Sequence, residues 1–157
     1  MAENKTLVIE RIFNAPIEKV WDAFTNPERI KKWFGPRDYT APDAVIDLRV
    51  GGTSLISMMG KDGKKIWGTG TYKEIVPLKK IVVTDSFADE KGNVVSGEVY
   101  GMKGMPLELL ITYTFEDLGG KTKFTLKHEG LPVGENVDGA NTGWSESFDK
   151  LTELLRG

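Results

Sequence analysis

The sequence predicts an α+β fold in which one curved antiparallel sheet wraps around a long C-terminal helix. Three observations predict it. Two short helical stripes stand in tandem directly after the first strand, strand-and-turn punctuation runs from Asp43 to His128, and one amphipathic stripe closes the chain. Such a helix needs an apolar surface to cover, and the inner faces of the strands need a lid. One curled sheet gripping the last helix satisfies both, with the short helices closing one end.

Lys5 to Phe13 reads as the first strand, with Leu7, Ile9, Arg11 and Phe13 on one face and Val8, Glu10 and Ile12 on the other. Pro16 suits the first turn of a helix, where its missing N–H costs nothing, and Ile17, Val20, Trp21 and Phe24 follow at helical spacing. Asn26-Pro27 breaks that helix and starts another, striped by Ile30, Trp33 and Phe34 and stopped by Gly35-Pro36.

Gly51-Gly52 then separates strands expected at Ala44–Val50 and Thr53–Met59, and Lys61-Asp62-Gly63-Lys64 is a hairpin signal. Lys65–Val76 and Ile81–Phe87 are the next strands, followed by a polar turn from Asp89 to Asn93. In Leu107–Glu116 the residues Leu107, Leu109, Ile111, Tyr113 and Phe115 share one face. In Thr122–His128 the inward residues are Thr122, Phe124, Leu126 and His128. A helix from about Thr142 to Leu155, with room for an earlier turn, carries Trp144, Phe148, Leu151 and Leu155 on one face. The irregular stretch is Gly92 to Pro106.

Composition narrows the function classes. The chain has 157 residues, enough for one domain (expected over residues 1–157) that buries about 70% of its unfolded surface. Net charge is −2, which gives no strong field for nucleic acid or an anionic membrane. There is no cysteine and one histidine, His128, so disulfides, thiol nucleophiles and cysteine-bearing zinc sites are excluded. No apolar run approaches the roughly 20 residues that cross a bilayer. The polar start Met1–Thr6 has no apolar signal core behind it, so a cytoplasmic address is expected.

The element order β-αα-β6-α resembles the START-like, or helix-grip, fold. Asn14-Ala15-Pro16 with Val20-Trp21, Asn26-Pro27-Glu28 and Lys32-Trp33-Phe34-Gly35-Pro36 resemble the opening of the bacterial family named for the activator of heat-shock-protein-90 ATPase. Asp47-Leu48-Arg49-Val50-Gly51-Gly52 is similar to its next motif, with Val50 where proline is usual. Gly70 to Pro77, Gly143-Trp144 and Leu151 continue it. The eukaryotic co-chaperone that gives the family its name carries a further N-terminal domain not seen in this sequence, so ATPase activation itself is not expected to carry over. Family and fold do not fix a reaction.

The resemblance implies a cavity between sheet and last helix that receives an apolar or aromatic ligand. Candidates to line it are Trp33, Phe34, Met58, Trp67, Tyr72, Phe87, Tyr113, His128, Trp144 and Phe148; the alternative for each is plain core. A pocket also needs a few convergent polar groups, for which His128, Tyr113 and Arg11 are available if they face inward. The expected function is binding of a small apolar or amphipathic molecule, with no metal, no tightly bound cofactor and no nucleic acid. Two alternatives stand beside it: a module that binds a chaperone or other protein, and a cyclase- or hydrolase-like enzyme with His128 or Tyr113 as acid or base.

Other motifs support less. No Gly-x-Ser-x-Gly elbow occurs. Gly51-Gly52 has no phosphate-loop context, so a hairpin is expected there. Gly68-Thr69-Gly70 lies within a strand, where glycine permits a bulge or bend. Gly97 to Gly104, with Met102 between them and Met105 beyond, reads equally as a lid or as a plain loop. The lysine pairs at 31–32, 64–65 and 79–80 are offset by acidic residues.

Overall fold

The computed structural model describes residues 4–132 and 135–156; the first three residues of the polar start lie outside them. Strand β1 (Asn4–Phe13) has the expected parity, with Phe13 buried and Val8 and Ile12 exposed on the outer face. Helix α1 (Ile17–Thr25) begins one residue later than expected. Pro16 is extended and caps the helix instead of forming its first turn. Asn26 ends α1 and caps α2 (Pro27–Trp33), its side chain accepting the Glu28 N–H while Pro27 opens the first turn.

Seven strands form one antiparallel sheet in the order β1-β7-β6-β5-β4-β3-β2, where β2 is Ala44–Ile46, β3 Thr53–Met59, β4 Lys65–Val76, β5 Lys80–Ala88, β6 Leu109–Asp117 and β7 Thr122–Pro132. The strand expected over Ala44–Val50 is only three residues long. Beyond it Arg49 N–H bonds to the Asp47 carbonyl and Gly52 N–H to the Arg49 carbonyl, and Gly51 takes φ +86, so the chain turns instead of pairing. Leu107 does not share the inner face of β6. Pairing with β5 starts only at Asp85↔Leu109, which leaves Leu107 outside the ladder and exposed.

The sheet curls at β4. A Cβ at Gly70 would lie 2.0 Å from the Thr84 carbonyl oxygen, so only glycine permits this approach. The Thr71 N–H bonds to the Thr84 hydroxyl at 2.8 Å, and the register shifts between Tyr72 and Glu74.

Helix α3 (Glu135–Arg156) lies in the grip of this sheet. It starts well before Thr142, where Gly139 and Gly143 obscure the helical signal in the sequence. Phe148 and Leu151 are fully buried. Phe24 stacks on Phe124 at 4.5 Å between centroids, and Phe124 meets Phe148 edge-on at 5.3 Å, joining α1, sheet and α3 in one aromatic core. Lys150 ties α3 to the loop after α2 through the carbonyls of Pro36 and Tyr39, and burial there lowers its pKa.

Candidate functional site

Between the inner sheet face and the first turns of α3 lies a cavity of about 580 Å³. Small residues make the space. Gly68 stands on the inner face of β4, opposite Ile56 of β3 and Phe87 of β5. Gly139, Ala140 and Gly143 present little side chain from α3. Apolar walls come from Ile56 and Met58, from Val83, and from Leu109 and Ile111 of β6. Met102, Met105 and Pro106 border it from the irregular stretch. That stretch is held by a 3-10 turn at Gly97–Tyr100, whose Tyr100 hydroxyl donates to the Ala88 carbonyl and accepts from the Trp67 N–H.

Polar groups gather on one wall. The Trp144 indole N–H donates to His128 Nδ1 at 3.2 Å, and His128 Nε2 lies 3.0 Å from Asp85 Oδ2. An indole N–H only donates, so Nδ1 is the acceptor and the imidazole proton sits on Nε2, facing the carboxylate. Asp85 Oδ1 has no hydrogen bond among the described residues. The Tyr113 hydroxyl has no partner there either. Burial, then the nearby Asp85 charge and Tyr72, push its phenol well above the ordinary tyrosine range, so it stays protonated and able to donate.

Of the residues expected at the site, Phe34, Met58, Trp67, Phe87, Tyr113, His128 and Trp144 border the cavity. Trp67 has opposite parity to Ile66 and Gly68, and its ring lies 5.4 Å from the Lys65 ammonium. Trp33 and Tyr72 border only a smaller hollow of about 50 Å³, which adjoins the cavity along Phe34, Ser54, Ile56, Val83 and Tyr113. Phe148 borders neither and belongs to the core. Trp33 donates its indole N–H to the Ala23 carbonyl at 2.9 Å, which joins the two short helices. Arg11 does not supply a polar group to the cavity. It sits at the rim of the sheet, where Asp149 at 2.8 Å and the Ser145 carbonyl hold it on α3.

Asp85 was not among the expected residues, although the alternation Ile81, Val83, Asp85, Phe87 puts it on the inner face. Among the described residues there is no cluster of three or more His, Cys, Asp or Glu able to hold a metal. No described helix is long and apolar enough to cross a membrane.

The comparisons agree with this architecture. The family model described as Activator of Hsp90 ATPase homolog 1-like protein matches residues 14–156. A protein from Chromobacterium violaceum is 27% identical over 97% of both chains, with a TM-score of 0.80. A protein from Mycobacterium smegmatis is 27% identical over 96% of this chain and 90% of its own, with a TM-score of 0.79. The AHSA1 protein from Silicibacter pomeroyi, 20% identical over 97% of this chain and 98% of its own, shares the fold at a TM-score of 0.77. Among curated proteins none matches the sequence. With the family model spanning nearly its whole length and the helix-grip fold in place, the chain belongs to the Activator of Hsp90 ATPase homolog 1-like family.

Proposed function

We propose that this protein binds a small apolar or amphipathic molecule in the cavity between the sheet and the start of α3. One observation carries the reading: about 580 Å³ of space with mainly apolar walls is combined with an unpartnered Tyr113 hydroxyl and a polar chain from Trp144 through His128 to Asp85. That volume lies within the range of sites for drug-sized ligands, which pair apolar walls with a few fixed polar groups. Phe34, Met58, Phe87, Tyr113, His128 and Trp144 are the residues proposed to touch the ligand.

An acid–base enzyme in the same cavity has less support. Both imidazole nitrogens of His128 are engaged, one by Trp144 and one by Asp85, which leaves no free lone pair to take a proton from a substrate.

A panel of apolar and amphipathic compounds, screened by thermal unfolding, tests the reading. Binding to the folded state must raise the melting temperature by linkage. A ligand of micromolar strength, about −8 kcal/mol, is expected, with a change in Trp144 fluorescence that Trp144→Leu removes. If nothing in a broad panel raises the melting temperature, the protein-interaction reading takes precedence, with exposed Val8 and Ile12 on the outer face of β1 as the first surface to alter.

A further inference from the structure

The charge pattern of the cavity selects among ligands. Asp85 is the only formally charged residue among the described residues that border it. No lysine or arginine does. Among the basic residues near bordering ones, Arg37 pairs with Glu153, Lys65 with Asp43, and Lys150 bonds to the carbonyls of Pro36 and Tyr39, while Lys103, between Met102 and Met105, is exposed and does not border the cavity. A carboxylate or phosphate head would therefore enter with no counterion and with the Asp85 charge against it. In a mostly apolar enclosure that repulsion is felt far more than in water.

A cation meets the opposite conditions. His128 engages only Oδ2 of Asp85, and Oδ1 is left without a hydrogen bond among the described residues. Phe34, Phe87, Tyr113 and Trp144 border the same space, and aromatic faces attract cations through their quadrupole. Tyr113 and Trp144 meet edge-on, 6.3 Å between centroids, and both border the cavity, so a ligand head lying beside the pair meets two ring systems.

We infer that the cavity is selective for an organic cation, an amine with an apolar or aromatic body, whose head sits against Oδ1 of Asp85. The inference rests on the ligand-binding reading above and adds the sign of charge and the residue that sets it. The neutral and anionic analogues are the competitors that the site disfavours.

Three probes of matched body test it: phenylbutylamine, phenylbutanol and phenylbutyrate, titrated calorimetrically into the intact protein at low salt. The amine is expected to bind roughly tenfold tighter than the alcohol, and the carboxylate to bind more weakly than the alcohol. Raising the ionic strength should narrow these differences. Asp85→Asn, which keeps an oxygen acceptor for His128, should bring the amine to within about twofold of the alcohol. The order in the unaltered protein decides the matter even if that variant folds poorly. Equal affinities, or a carboxylate that binds as tightly as the amine, would overturn the charge selectivity and leave the cavity reading intact. Absence of binding by all three while other compounds of the panel still bind would overturn the amine selectivity alone, and absence of binding by these three and by the whole panel would overturn both.

Discussion

Trp144 of α3 donates its indole N–H to His128 Nδ1 of β7 at 3.2 Å, and through that contact the helix fixes the tautomer of the imidazole that faces Asp85. The same indole stacks on Phe148 at 5.6 Å and meets Phe34 edge-on at 5.9 Å. Trp144 thus joins the buried core to the polar wall of the cavity. Trp144→Phe keeps a ring for these packing contacts and removes the donor. The expected cost is about 1 kcal/mol. Nitrogen NMR of His128 should show the Nε2–H form in the unaltered protein and a mixture of tautomers in the variant; the same tautomer in both would mean that Asp85 alone sets it.

Phe148 is expected to be a core position rather than a ligand contact. It is fully buried and meets Phe13, Phe24, Trp33 and Phe124. Phe148→Ala should cost about 3–5 kcal/mol in denaturant unfolding. A loss below about 1 kcal/mol would mean that α3 is not gripped by the sheet as described.

The sequence carries the sheet clearly where one face is buried and the other wet. Thr122, Phe124, Leu126 and His128 are all buried, as their alternation requires, and Phe115 and Ile111 are buried by the same rule. Legibility fails where register, not pattern, decides. Leu107 continues the apolar alternation of β6 but lies beyond the point where β5 can pair with it. Asp85 sits in an inward position that apolarity alone does not flag, and its role depends on His128 from a strand two places away in the sheet. The early start of α3 is hidden because Gly139 and Gly143, the residues that open the cavity, are poor helix formers.

That last conflict gives a prediction. A Cβ at Gly143 would meet only Pro36 Cγ, at 3.5 Å, an ordinary contact. Gly143→Ala should therefore stabilise the protein by about 1 kcal/mol through helix propensity. Destabilisation would show that the helix needs glycine there for a reason other than space.

Closing the cavity from the sheet side should separate stability from binding. A Cβ at Gly68 would have the Ser86 carbonyl oxygen as its nearest neighbour, at 3.6 Å, and a longer side chain would project into the cavity. Gly68→Leu is expected to keep the melting temperature and weaken ligand binding roughly tenfold or more, about 1.4 kcal/mol. Unchanged affinity would place the ligand elsewhere.

Alkaline pH should weaken the fold through Tyr72. Burial pushes its phenol from 10.0 up to about 12. The folded chain then holds a proton that the unfolded chain has released, so this contribution is complete below about pH 10 and is lost as pH rises towards 12. The loss should reach about 2–3 kcal/mol. Tyr113, also raised, acts with the same sign. Denaturant midpoints taken across this window should fall less steeply for Tyr72→Phe; equal slopes would assign the loss to other groups.

The central claim is that a ligand enters between the sheet and the start of α3, and the indole N–H signals read it most directly. The protein has four tryptophans. Trp144 bonds to His128 at the cavity wall, whereas Trp33 bonds to the Ala23 carbonyl in the core. In an NMR titration with phenylbutylamine, the indole resonance that Trp144→Leu deletes should shift saturably, and that of Trp33 should stay in place. A Trp144 signal that does not move while that of Trp21 or Trp33 shifts saturably, or no saturable shift in any of the four, would contradict the account.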